Sequence, residues 1–473
     1  MRWTVLLCLT LLPSTARADP VSAVRLAYAD AQTLPPGLRS HVRYLDLSGI
    51  PLDERKWALL ALWYQTNAIS RNSDIVRPIL LAGSLLRVSL PDYGWSRSVW
   101  ERLADHDPYF HERTTRYYPA GSYTDGTRYP AGNYSTPASA SWLPAQEAAG
   151  LIALTQSAAP VVRADWFFVQ TIRQLSLGNR QTGVGYYDWL GIKSRKDFER
   201  IIKLSEKDSL DIGKEMRAAV LRSGVATQNR QIVRLQALTG GSWATLDVDS
   251  SEGKTNAIRN LGRGEMAHKA EEHFGVLPNG LFCFLLCDNQ GALQNTAPDF
   301  IGSDDSPLRT GRDPRIHVGL SCLRCHVEGL RPINDWVRQT LRLPLGIQAV
   351  DAEKLVAFRR QYFSNLDRQL VRDRQLFQES LYEANGLKSA DNARAVARLY
   401  DLYVERDRMP EDAARELGVT APVLLQALKA HVKATGRLPP ELAGYLQEPP
   451  VGIRVEQWER VYPEVQRILR DKP

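Results

Sequence analysis

The sequence runs to 473 residues, with 60 basic and 53 acidic side chains giving a formal net charge of +7, and 44% hydrophobic residues. That length exceeds one compact core and implies about two to four domains. A positive excess spread so thinly argues against nucleic acid as a partner. Five cysteines are too few for a disulfide-built scaffold, and beyond the N-terminus no apolar run reaches the roughly eighteen residues of a membrane span.

In chain order, Arg2, the apolar run 5–12 and Ala16-Arg17-Ala18 form the charged, apolar and small-residue parts of a secretory signal peptide, residues 1–18. Cleavage near Ala18 implies a periplasmic or otherwise exported protein without a transmembrane anchor. Residues 19–49 carry no firm pattern. Residues 52–67 predict a helix, with acids in the first turn and apolar positions three to four apart. Leu86, Val88 and Leu90 alternate with Arg87 and Ser89 as a half-buried strand, and 95–103 suit a short helix. Residues 117–142, rich in Gly, Pro and Tyr, read as a surface loop. Residues 19–143 are therefore expected to form an N-terminal α+β region.

A central segment, 144–345, begins with helical pattern broken at Pro160. Ser194 and Asp197 mark a capped helix start. Residues 210–221 and 230–238 predict two more helices. Residues 281–294 read as a hairpin turning at Asp288-Asn289-Gln290-Gly291. Cys283 and Cys287 then fall on one strand face about 13 Å apart, beyond disulfide reach. Two separate buried thiols are expected unless a bulge or a helical stretch brings them together. The last segment, 346–473, is charged and helical: 351–385, 390–409, a tight pair at 411–417 and 423–432, and a final amphipathic helix at 455–469. The pair has helix-turn-helix spacing, but a signal peptide speaks against nucleic acid and helical hairpins are common through packing alone.

The chemistry concentrates in Ser321-Cys322-Leu323-Arg324-Cys325-His326-Val327-Glu328-Gly329-Leu330. Cys322, Cys325 and His326 make a C-x-x-C-H run, the spacing of covalent haem attachment. Two thiols three residues apart can each add to one haem vinyl group, and the next residue can ligate the iron from the proximal side. With five cysteines and eight histidines in the whole chain, such a run seldom arises by chance. A zinc site would need a second C-x-x-C at knuckle spacing, which is missing. A thiol-redox pair would follow a strand, whereas the turn-rich 309–314 precedes this one. One covalently bound haem c is therefore expected, with Cys322 and Cys325 as thioether residues and His326 as proximal ligand.

The sixth iron ligand stays open among His268, His273, Met266, Met409 and His317. If 266–273 is helical, Met266 and His273 share a face. Two strong ligands would make the protein an electron carrier for a redox protein or a small redox molecule. An open sixth position would suit a peroxidase-like haem oxidoreductase, with a distal histidine as base and Arg263, Arg312 or Arg315 opposing negative charge. A haem-based sensor or binding protein is a third reading.

The motif resembles that of c-type cytochromes. With Val327-Glu328-Gly329-Leu330 it is also similar to the H-x-x-G-L/I ending of large secreted single-haem proteins of planctomycete-type bacteria. Arg43-Tyr44-Leu45-Asp46-Leu47 and Pro108-Tyr109-Phe110-His111 add to that likeness. The chain departs from small electron-carrier cytochromes, which place the motif near an N-terminal helix, and from di-haem peroxidases, which need two motifs. The expected fold is thus a large mixed α+β protein, mainly α, with one haem embedded after a β-hairpin and a helical C-terminal region.

Overall fold

The computed structural model describes residues 20–109, 145–174, 184–205, 215–221, 228–250, 267–306, 308–309, 313–342, 356, 360–362 and 365–470. The segment 1–18, the loop 117–142, Met266, Arg263 and Arg312 lie outside them. The architecture is mixed α+β and mainly α, as the patterning implies.

Helix α1 (Pro20–Thr33) precedes strand β1 (Val42–Asp46), helix α2 (Arg55–Ala68) and strands β2 (Ile79–Leu81) and β3 (Leu85–Ser89). Then follow α3 (Arg97–Ala104), α4 (Ala145–Thr155), β4 (Val161–Arg163) and α5 (Ala164–Ile172). The first sheet has the order β2-β3-β1-β4, with β1 antiparallel to β3 and parallel to β4. All five residues of β1 are buried, because helices cover both faces. Tyr44, Leu85 and Val161 pack against Ala23, Ala27 and Leu151 of α1 and α4, while Leu45, Leu86 and Val162 join the main core. A strand buried on both sides loses the alternation that would announce it, which is why residues 42–46 show no strand pattern.

Short helices α6 (Tyr186–Leu190) and α7 (Arg195–Ile201) follow, and Ser194 caps α7 by accepting from the Asp197 amide at 3.3 Å. The second sheet is an antiparallel meander in sequence order: β5 (Met216–Val220), β6 (Arg230–Gln236), β7 (Gly241–Asp247), β8 (Ala270–Val276), β9 (Phe282–Asp288) and β10 (Leu293–Gln294). Where helices are expected over 210–221 and 230–238, residues 216–220 and 230–236 are thus strands, and so are 270–273 of the stretch 266–273. In β6 the buried positions include Arg230 and Arg234. Arg230 pairs with Asp247 at 2.5 Å and Glu272 at 2.9 Å, and Arg234 with Asp373 at 3.2 Å. Charges facing inward disguise the period of two. The β9–β10 hairpin forms as expected, and Cys283 and Cys287 are separate buried thiols.

Helices α8 (Leu320–Cys325) and α9 (Trp336–Arg342) lead to the helical C-terminal part: α10 (Leu366–Asn385), α11 (Ser389–Val404), α12 (Pro410–Glu416), α13 (Ala421–Thr435) and α14 (Val455–Arg470). One continuous apolar core runs from Leu45 through Phe284 to Leu469, joining the segments 19–143, 144–345 and 346–473. Among the described residues no helix is long and apolar enough to cross a membrane.

A buried charge cluster ties the first sheet to the C-terminal helices. Arg163, at the end of β4, pairs with Asp165 at 2.6 Å and with Glu416 of α12 at 2.5 Å. Glu416 also accepts from Arg408 at 2.9 Å and from the Trp458 indole of α14 at 2.6 Å. Burial alone would push the Glu416 carboxyl up, but Arg163 and Arg408 hold it down at about 2. Replacing Glu416 by Gln leaves two buried guanidiniums short of a counter-charge and should cost about 3–5 kcal/mol in urea unfolding. Because the folded value is depressed, the carboxylate stabilises fully above the ordinary value of about 4.3. That contribution fades as pH falls towards about 2. The stability difference between wild type and Glu416→Gln should therefore shrink through that window; a constant difference would contradict the pairing.

Candidate haem-attachment site

Helix α8 begins where two backbones converge. Residues 316–318 run beside 295–297, with the Ala297 amide on the Ile316 carbonyl at 2.9 Å and the Val318 amide on the Asn295 carbonyl at 3.1 Å. On the other side Gly319 bridges to Arg173 at the end of α5. Gly319 has φ +82°, and a Cβ there would stand 2.3 Å from the Ile172 carbonyl oxygen. No side chain fits that approach, so glycine is required.

The helix then presents Cys322, Cys325 and His326 at spacings of three and four, on one face. The His326 amide donates to the Cys322 carbonyl at 2.8 Å, which carries the helical turn through to the imidazole. The Gly329 carbonyl lies 3.3 Å from His326 Nδ1. A carbonyl only accepts, so Nδ1 holds the proton and Nε2 keeps its lone pair, the arrangement that orients a ligating histidine. Nε2 has no hydrogen-bond partner among the described residues. The Phe274 ring of β8 packs against the imidazole with centroids 4.5 Å apart. Burial, with Arg331 and Arg230 adding to it, pushes His326 down to about 4 against the opposing pull of the Gly329 carbonyl. The ring is neutral near pH 7, as a metal ligand must be.

Helix α10 holds the turn after the motif. Gln378 donates to the Glu328 carbonyl at 3.1 Å, Arg374 pairs with the Glu328 side chain, and Phe377 stacks on Phe282 of β9 with centroids 4.3 Å apart. Beside Cys325 opens a cleft of about 480 Å³ whose walls include Arg324, Leu330, Arg331 and Arg374, within the size range of ligand sites. Cys322 is buried and Cys325 half-buried. Burial, with Asp304 and Glu272 adding, pushes the Cys325 thiol up to about 12, and Cys322 is raised as well, chiefly by burial. Redox-active thiols need the opposite shift, so the thiol-redox reading loses ground.

One wall of the cleft carries a buried guanidinium within reach of two carboxylates. Arg324 is buried, 3.5 Å from Asp304 and 3.8 Å from Asp401, and its Nε and Nη2 lack hydrogen bonds. Its charge is balanced by these two carboxylates, and the two nitrogens without hydrogen bonds leave donor capacity at the cleft wall. Of the groups a haem would use, Cys325, Arg324, Arg331 and Arg374 line the cleft, while Cys322, His326 and Phe274 are not among its lining residues; the donor set of two thiols and a neutral imidazole is of the kind that would hold a haem. Phe274, Gly319, Arg324 and Arg374 carry no signal in the sequence that would have marked them.

The candidate sixth ligands lie elsewhere. Phe274 faces His326, so His273, its neighbour on β8, points to the opposite face of the sheet. There His273 contacts Phe198 and pairs with Glu271 at 2.6 Å. Glu271 also holds His268 at 2.8 Å. His317 is turned to Asp313 at 2.9 Å, whose other partner is Arg315. Met409 packs with its sulfur against Gly452 in the C-terminal part. Met266, Arg263 and Arg312 are outside the described residues.

No protein-family model, no curated protein and no solved structure matches this chain. The site thus rests on its own geometry, which makes Gly319 a sharp test. Gly319→Ala should destabilise the protein by at least about 1–3 kcal/mol, from positive φ alone, and lower the fraction recovered with haem. Unchanged stability and haem content would contradict the described clamp.

Proposed function

We propose that this chain is an exported monohaem c-type cytochrome that transfers electrons through one haem c, held covalently by Cys322 and Cys325 with His326 as proximal ligand. The observation that carries the reading is the His326 imidazole, oriented by the Gly329 carbonyl and presented on one helical face with the two thiols. Bound there, the haem supplies a one-electron iron couple.

The chain's own residues orient, shield and neutralise. Gly329 fixes the tautomer and the ring plane of His326, and Phe274 covers one side of that ring against water. Arg324, Arg331 and Arg374 in the cleft would pair with the propionate carboxylates. Electron transfer asks in addition only for a second strong iron ligand, with a redox protein or a small redox molecule as partner. Peroxide chemistry would also ask for a histidine base beside an arginine at the iron. Of the candidate histidines, His268 and His273 are committed to Glu271 and His317 to Asp313.

A second reading has an observation of its own. Among the described residues, His268, His273, His317 and Met409 are all engaged away from His326, so none of these four would ligate the iron, which favours a haem oxidoreductase. The optical and spin-state spectra of the holoprotein, oxidised and reduced, separate the two. The proposal expects low-spin iron in both states, unchanged by carbon monoxide. A high-spin component with rapid carbon monoxide binding would replace it by the oxidoreductase reading, and protein that takes up no haem would overturn both.

A further inference from the structure

The face of the second sheet turned away from His326 holds a separate set of ligating groups. Glu271 and Cys287 are cross-strand partners on β8 and β9, and His273, two residues further along β8, shares their face. Their ligating atoms all lie within 4.8 Å of one another, and all three residues are buried. His268 reaches the same carboxylate from the strand's entrance, at 2.8 Å and with 16% of its side chain exposed. Arg195 of α7 approaches from above at 3.0 Å, and Phe198 closes the apolar side.

Two imidazoles, a thiol and a guanidinium therefore converge on a single buried carboxylate. Packing alone gives no reason to place so many polar groups together in a core. We propose that Glu271, His273 and Cys287 bind one divalent transition-metal ion of the zinc class, with His268 completing the set from the open side.

The donor chemistry selects the metal. Thiolate, imidazole and carboxylate together suit zinc, whereas calcium and magnesium require oxygen throughout. Bond lengths of about 2.0–2.3 Å in a tetrahedron place neighbouring ligand atoms roughly 3.3–3.8 Å apart. The Cys287 sulfur already stands 3.6 Å from Glu271. The two imidazole contacts, at 2.6 and 2.8 Å, must each open by about 1 Å or less. On binding, the Cys287 thiol gives its proton to solvent, and each ligating imidazole gives up the Nε2 proton it now donates to Glu271, a neutral ring taking one up on Nδ1 from solvent and an imidazolium keeping the one already there. Four protein ligands close the coordination sphere, which makes the site structural: it pins β8 to β9 behind the strand that carries Phe274.

The test uses the full-length haem-loaded protein, dialysed against zinc sulfate and then against metal-free buffer. Zinc is measured by elemental mass spectrometry, and haem content in the same sample reports on the other site independently. Roughly one zinc per chain should be retained. Cys287→Ser, a near-isosteric change, and His268→Ala, at the half-buried entrance and with its fold checked by circular dichroism, should each weaken retention by more than about tenfold. Haem content should be unchanged in His268→Ala. Wild-type protein that retains no zinc, or retention unaffected in both variants, overturns the proposal and leaves the cluster a hydrogen-bonded group around Glu271.

Discussion

The structure depends on how tightly the short helix α8 is clamped at both ends. Before it, the close approach of Gly319 to the Ile172 carbonyl and the backbone bonds between 295–297 and 316–318 leave the first turn no alternative path. After it, Gln378 and Arg374 of α10 grip Glu328. The chain thus brings α5, the second sheet and the C-terminal helices to one six-residue element. A helix fixed in this way keeps two thiols and an imidazole in register without help from regular length. A six-residue helix has no stability of its own in water.

That clamp draws the C-x-x-C-H run deep into a large chain. The residues that support it come from positions as distant as Ile172, Phe274 and Phe377, so the site exists only once the core has formed around it. The second sheet divides the chemistry of the region. One face carries Phe274, Glu272 and Arg230 towards His326; the other carries Glu271, His273 and Cys287 towards α7. A period of two along β8 is enough to send adjacent residues to different tasks.

Much of this was legible in the sequence, for identifiable reasons. The helices α2, α10, α11 and α14 show apolar stripes against a polar face, and the turn Asp288–Gly291 announces its hairpin. The C-x-x-C-H run is local, so its geometry follows from one turn of helix. What was not legible depends on distant partners. Strand β1 is covered on both faces and shows no alternation. Strand β6 buries Arg230 and Arg234 because Asp247, Glu272 and Asp373 await them. His268 and His273 look like iron ligands in isolation; only the strand register reveals that they gather at Glu271 on the far side of the sheet.

Intact mass measures most directly the proposed covalent bond between a haem and the Cys322 and Cys325 sulfurs. The protein would be produced in a host that attaches haem to exported chains, then denatured and stripped of any loosely held cofactor before weighing. The wild type should carry the mass of one haem, and the chain with Cys322→Ala and Cys325→Ala should weigh as the polypeptide alone. A wild-type mass equal to the bare polypeptide under those conditions would contradict the assignment of Cys322, Cys325 and His326.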